Sequence, residues 1–300
     1  MSYPGPIVDS HHHIWRRRDL RWLSGEVVPR IFGPYEPIRR DYPIDEYVTD
    51  ATGAGITQSV YVQTNWPLDR AMDEVRWLRD VHQAAGWPTA VIGTADLFSA
   101  EAAHTMREQA ATSTLLRGTR LQLHWHEREE FRFAAGPDAM LDPTFLRNIA
   151  VLEELGWLFE LQVFPQQMVD AAKLVAAFPR TTFVLVHAGM LISPDPAEVR
   201  AWRTGMRALA EQPNVVVKLT GQGTFIHRVD PAFLALVTEH VLDLFGPRRA
   251  MFGTNFPIEK IWTTMPELVA AWRDTLSALP VEQQAWIFAE NARRVYRLPS

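Results

Sequence analysis

A few histidines and arginines carry most of the chemistry this sequence could perform. His11 and His13 stand two apart in Asp-Ser-His-His-His-Ile-Trp. Residues two apart on a strand share a side, so both imidazoles can converge while His12 faces away. Such a pair can ligate a divalent metal, or hold and protonate a substrate directly. A tag remnant would look similar, but this run is internal and flanked by Asp9 and Ile14-Trp15. His187 ends the apolar run Phe-Val-Leu-Val-His-Ala-Gly. That puts a third imidazole at a strand end, where the competing reading is a hydrogen-bonded core histidine.

Arg120, Gln122, His124 and His126 alternate with Leu121, Leu123 and Trp125. The period of two gathers the polar set on one face. Polar groups turned inward need partners, and a substrate with carboxylate or carbonyl oxygens is one. Arg120 suits a carboxylate bidentately. An ion pair with an interior acid such as Glu160 is the alternative. Glu160 and Gln162 alternate with apolar neighbours in the same manner, while Gln63, Asp96 and Lys218 with Thr220 close three further apolar runs. His82, His104 and His240 lie among charges in helical segments and read as solvated, as does the charge run 127–130. His227 falls in a loop and is open either way.

The elements that must position these groups recur regularly. Short β-branched runs at 6–10, 56–62, 89–95, 116–123, 157–164, 182–187, 214–219 and 249–253 predict strands. Helix-period segments at 44–53, 68–85, 100–113, 143–155, 166–178, 197–211, 231–245 and 265–277 lie between them. Asp142-Pro143, Asp195-Pro196 and Asp230-Pro231 each place a capping acid before a proline suited to a first helical turn. Eight such units in 300 residues predict an α/β fold, a single (β/α)8 barrel domain over residues 1–300. A doubly wound sheet would want a glycine-rich turn after an early strand, where this chain has histidines. The segment 281–298 reads as an extra C-terminal helix packed outside the barrel. Insertions at 15–42 and 125–142 would leave the C-terminal face of the strands, where catalytic groups gather. Their aromatic residues, with Trp66, could wall a pocket or simply pack the loops together.

Composition narrows the function classes. The net charge is -5, from 30 basic and 35 acidic residues, which gives no electrostatic reason to expect nucleic acid. The absence of cysteine excludes disulfides, thiolate nucleophiles and cysteine metal sites. No apolar stretch reaches membrane-spanning length, and the polar start is unlike a signal peptide. The expectation is a cytoplasmic protein acting on a small molecule, with a homodimer left open.

Taken together, the H-x-H of strand one, the strand-six His187 with its following glycine, the strand-eight Met251-Phe252-Gly253 and the C-terminal Phe-Ala-Glu-Asn-Ala-Arg-Arg-Val-Tyr resemble the amidohydrolase superfamily. The branch it is most similar to is lactonase-like: fuconolactonases, sugar lactonases and pyrone dicarboxylate lactonases. The resemblance spans 7–298. It implies a site at the barrel mouth, and Arg39-Arg40-Asp41-Tyr42 and Arg120 look like positions used near the substrate. One departure matters. Where the branch has an aspartate after strand eight, this chain has Asn255. An amide takes no proton at neutral pH, though it can orient a water or bind a carbonyl. The superfamily's strand-four metal-bridging lysine or glutamate also has no counterpart here.

The resulting expectation is a hydrolase that opens a lactone or related carboxylic ester. His11, His13 and His187 would form its polar core, either holding one divalent metal such as Zn²⁺ or polarising the carbonyl without metal. Asn255 would position the water, with His187, His124 or Glu160 as proton acceptor. Arg40, Gln63, Arg120 and Gln122 would bind substrate. A lactone isomerase, decarboxylase or hydratase on the same scaffold is the alternative. A binding barrel that has lost catalysis is a further one.

Overall fold

The computed structural model describes residues 3–299. Its eight strands form one sheet in sequential order, with each consecutive pair parallel. They are β1 (Ile7–His12), β2 (Ile56–Val62), β3 (Ala90–Gly93), β4 (Leu116–Thr119), β5 (Leu158–Leu161), β6 (Phe183–Leu185), β7 (Val215–Leu219) and β8 (Ala250–Phe252). After each strand in turn comes α1 (Ile44–Gly53), α2 (Ala71–Ala85), α3 (Ala102–Thr112), α4 (Pro143–Leu155), α5 (Met168–Ala177), α6 (Pro196–Ala210), α7 (Pro231–Phe245) or α8 (Met265–Leu276). This is a (β/α)8 barrel. No helix among the described residues is long and apolar enough to cross a membrane.

Side-chain caps set three of the eight helix starts. The Asp142 carboxylate accepts from the amides of Thr144 and Phe145, and Asp230 from those of Ala232 and Phe233. Thr264 and Glu267 form a reciprocal capping box at α8. Asp195 departs from the expectation: it makes no cap bond and accepts instead from the Ser193 hydroxyl at 2.9 Å.

The strands bury both faces, as parallel strands must. One face packs on the helices. The other fills the barrel interior with Val8, Val60, Ile92, Leu158, Val184, Val216 and Met251. The C-terminal helical segment, Val281–Ala285 continuing through a π turn to Asn291–Tyr296, packs into that interior cluster through Ala289, Ala292 and Tyr296. It was expected outside the barrel. Because its small residues allow close approach to the strand starts, it seals the barrel floor instead. Tyr296 is fully buried and donates to Glu160 Oε1 at 2.9 Å.

The strand ladders stop short of the predicted ends. β4 ends at Thr119 and β6 at Leu185, so Arg120 to His126 and His187 belong to chain leaving the mouth. On β1 the register breaks between Asp9 and His12. That irregularity lets Val8 point inward while His12 points out, stacked on Tyr47 of α1 with ring centroids 3.7 Å apart.

The barrel closes between β8 and β1 through a side chain. Asp9 is fully buried. Its Oδ1 accepts from the amides of His11 at 3.0 Å and Thr254 at 2.8 Å. Its Oδ2 accepts from the hydroxyls of Thr254 at 2.6 Å and Tyr47 at 2.9 Å. Asn255 N to His11 O and His13 N to Phe256 O, both 2.7 Å, continue the seam. Asp9→Ala should therefore cost about 3 kcal/mol or more, since it strands several buried donors. Urea unfolding followed by tryptophan fluorescence measures this, and an unchanged midpoint would show that the seam does not depend on Asp9.

Candidate active site

The mouth holds a cavity of about 550 Å³ including its opening. Its polar wall combines His13, Gln63, Arg120, Gln122, His187 and Asn255, and its apolar wall includes Trp15, Trp22 and Phe32. His11 lies one layer below, fully buried, with ring centroids 5.1 Å from His13 and 4.9 Å from His187.

Each ring is held by its Nδ1. His13 Nδ1 sits 2.7 Å from the Val62 carbonyl. A carbonyl only accepts, so His13 carries its proton there and leaves Nε2 as a lone pair. His187 Nδ1 is 2.7 Å from Thr220 Oγ1. The His187 backbone is left-handed, at φ 54°, which turns the ring off the strand direction and towards the cavity. Gly221 makes room for it: φ is +68° there, and a Cβ would lie 2.4 Å from His187 Nδ1. His11 Nδ1 is 3.3 Å from Lys218 Nζ, whose other partner is Glu160 Oε1 at 2.5 Å.

Burial dominates the electrostatics. It pushes His13 down to about 3 and His11 and His187 well below the ordinary histidine value, aided by Arg120 and Lys218. These three imidazoles are neutral at pH 7. Burial also lowers Lys218 to about 8 and Arg120 to about 10, so both remain largely charged. Asn255 contacts His13 on one side and the buried Glu259 on the other, and burial raises Glu259 to about 8.

Most of the residues expected from sequence meet here, but three take other positions. Arg40 is half exposed and pairs bidentately with Glu46 at 2.6 Å, outside the cavity. The helix it meets, α1, supplies a carboxylate that loop spacing alone does not reveal. Glu160 is no free base, because Lys218 and Tyr296 hold it below the mouth. It is also not the direct partner of Arg120, which bonds the Gln63 carbonyl at 2.6 Å and Gln162 Oε1 at 3.2 Å. His124 lines a neighbouring outer cavity with Gln122 and Phe133. Burial lowers it to about 3. His240, expected in solvent, is half-buried against Trp202 and bonds the Leu236 carbonyl. His82 likewise bonds the Pro88 carbonyl, whereas His104 is exposed.

Sequence reasoning overlooked Arg30, in the loop after β1, which also lines the cavity. No periodicity marks it. Lys218, marked in the sequence as a charge closing an apolar strand, proves to hold Glu160 and His11 beneath the cavity.

The donor set does not suit a divalent cation. An ammonium only donates, so Lys218 makes His11 Nδ1 an acceptor and leaves its proton on Nε2, the atom a metal would need. Two cations, Arg120 and Lys218, stand close by, and no unpaired carboxylate offsets them. Among the described residues, no group of three His, Asp or Glu is arranged to hold a metal ion.

Fold and site together define a (β/α)8 barrel with a histidine cluster at its mouth. The chain belongs to the amidohydrolase family, whose model, described as Amidohydrolase, matches residues 8–298. It is 28% identical over 307 residues to an L-fucono-1,5-lactonase from Burkholderia multivorans, covering 97% of this chain and 96% of that protein. The crystal structure of an amidohydrolase from the same species, with bound zinc, aligns at a TM-score of 0.82 and 25% identity, over 98% of this chain and 100% of that one. The 5-carboxyvanillate decarboxylase of Sphingomonas paucimobilis shares the fold, with a TM-score of 0.65 at 14% identity over 98% and 99% of the two chains.

The buried groups dictate how stability follows pH. His11, His12, His13, His124 and His187 are all held neutral below the ordinary 6.5. As pH falls through 6.5 the unfolded chain takes up protons that the fold refuses, so stability is lost. Asp9, Glu74 and Glu259, raised to about 6, 7 and 8, act oppositely: the fold keeps protons the unfolded chain has released, so stability falls as pH rises towards 8. The melting temperature should peak near pH 6 to 7 and decline on both sides. A flat profile from pH 4 to 8 would refute this charge assignment.

Proposed function

We propose that the protein is a lactonase, a carboxylic ester hydrolase that opens a cyclic ester of a small polar acid without a resident metal. The observation that carries this reading is the cluster of three neutral imidazoles, His13 and His187 lining the cavity beside Arg120 and His11 packed directly beneath them. The relationship to L-fucono-1,5-lactonases supports it.

The chemistry follows from the hydrogen bonds. A water placed between the Nε2 atoms of His13 and His187 meets lone pairs, provided Thr220 accepts from His187 Nδ1. The water oxygen bonds to the lactone carbonyl carbon, and its proton passes to His187. His11 Nε2–H stabilises the oxyanion formed. Collapse breaks the ring C–O bond, and the imidazolium returns its proton to the leaving oxygen. Asn255 can orient the water but cannot take its proton, so the base role falls to an imidazole. The same departure at Asn255 favours one second reading, a non-hydrolytic lyase or isomerase, because moving protons between histidines needs no activated water.

A pH-indicator assay over sugar-acid and unsaturated lactones tests the reaction, with acid release expected. His187→Asn should reduce turnover by roughly 10²- to 10³-fold; full retention would overturn its role. Prolonged treatment with EDTA should leave activity unchanged, and metal analysis should find less than stoichiometric zinc. Loss on chelation that zinc restores would overturn the metal-free reading. Carbon dioxide or isomer formation without net acid would favour the alternative.

A further inference from the structure

We propose that the substrate is anionic before it is opened: a lactone carrying its own carboxylate, recognised by Arg30 and Arg120. This rests on the lactonase reading above.

The argument is a charge inventory of the cavity. Two guanidinium groups line it and no aspartate or glutamate does. Among the described residues, neither Arg30 nor Arg120 has a carboxylate within ion-pair distance. Every other arginine that pairs with an acid does so elsewhere, as Arg40 does with Glu46. In both cavity arginines the Nε is buried without a partner. Arg120 feels Glu160 and Glu74 only at longer range, since Lys218 holds the first and Tyr61 and Thr64 the second. Arg30 packs its guanidinium 5.8 Å from the Trp22 ring and, among the described residues, makes no hydrogen bond to any side chain.

Neutral imidazoles cannot balance these cations, so the lining carries two uncompensated positive charges. Keeping such charges out of bulk water is costly unless an anion completes them. Hydrolysis of a neutral lactone would present a carboxylate only after the ring opens. That would favour product over substrate and slow release. A carboxylate already present on the substrate pairs with the arginines in the ground state, orients the ring, and leaves the carbonyl for the histidines. L-fucono-1,5-lactone bears no charge, so this chain would differ in substrate from that relative.

Two arms test the proposal. The first compares kcat/KM for matched lactones, D-glucaro-1,4-lactone against D-glucono-1,4-lactone and muconolactone against its methyl ester. The acids should be preferred about tenfold or more, the scale of one charge-assisted pair. Arg30→Ala should abolish that preference, chiefly by raising KM for the acids, while Arg40→Ala should leave it intact. The second arm measures thermal stabilisation by D-glucarate and D-gluconate, which are not lactones. The dianion should raise the melting temperature of the native protein more, and Arg30→Ala should remove the difference. Equal turnover of acids and neutral partners, unaffected by Arg30→Ala, overturns the proposal and leaves the lactonase standing. Stabilisation by glucarate without turnover of any lactone keeps the anionic cavity and overturns the hydrolysis.

Discussion

The buried carboxylate of Asp9 is the constraint on which the mouth of this barrel depends. Adjacent strands elsewhere are joined by backbone ladders, but between β8 and β1 a side chain supplies much of the bonding. Asp9 bonds the His11 amide and both the amide and hydroxyl of Thr254. It thereby sets the histidines of β1 against the loop that carries Asn255. Its cost is desolvation, which burial imposes in full and the hydrogen bonds only partly offset. Seam closure and site assembly are one interaction here, so the barrel cannot loosen at this edge without moving His11 and Asn255 apart.

A second layer of organisation runs beneath the cavity. Lys218 and Glu160 are completely buried, and a buried pair of this kind contributes little net stability compared with apolar packing. Its consequence is chemical. The ammonium reaches His11 and selects its tautomer, and the C-terminal helix returns through Tyr296 to hold Glu160. The floor of the barrel is thus connected to its mouth by polar contacts through an otherwise apolar interior. The proton position on His11, and with it the suitability of the site for a metal, is decided by a residue 207 positions away in sequence.

Strain is concentrated where the chemistry is. His187 and Ala188 both lie in the left-handed region, with φ of 54° and 47°, an arrangement that costs energy for residues with a Cβ. The dividend is position: the ring leaves β6 and faces the cavity, with Gly221 cleared of any side chain beside it. Asn255 shares this backbone region, at φ 58°, which asparagine tolerates better than most residues. The rest of the interior is packed with Val, Ile, Leu and Met in ordinary strand geometry, and that packing is what sustains the strained loops.

Much of this protein was legible in its residues. Alternating apolar runs and proline-led helices announce eight β/α units because the two periods, near 2 and 3.6, are local properties of the chain. His11, His13, Arg120, His187 and Asn255 stand at strand ends by the same logic, and they do meet. The failures have a common cause. Glu160 and His124 were assigned roles from spacing and Arg40 from the family resemblance, but whether a charged or polar group is free depends on what faces it from distant elements. Glu46 of α1, Lys218 of β7 with Tyr296 of the C-terminal helix, and the outer cavity decided those three. Arg30 carries no pattern at all and becomes interesting only because no acid folds back upon it. Local periodicity determined the architecture and the place of the site. Protonation, pairing and net charge within the cavity belong to the tertiary structure, because Coulomb and desolvation energies depend on distance in space and not along the chain.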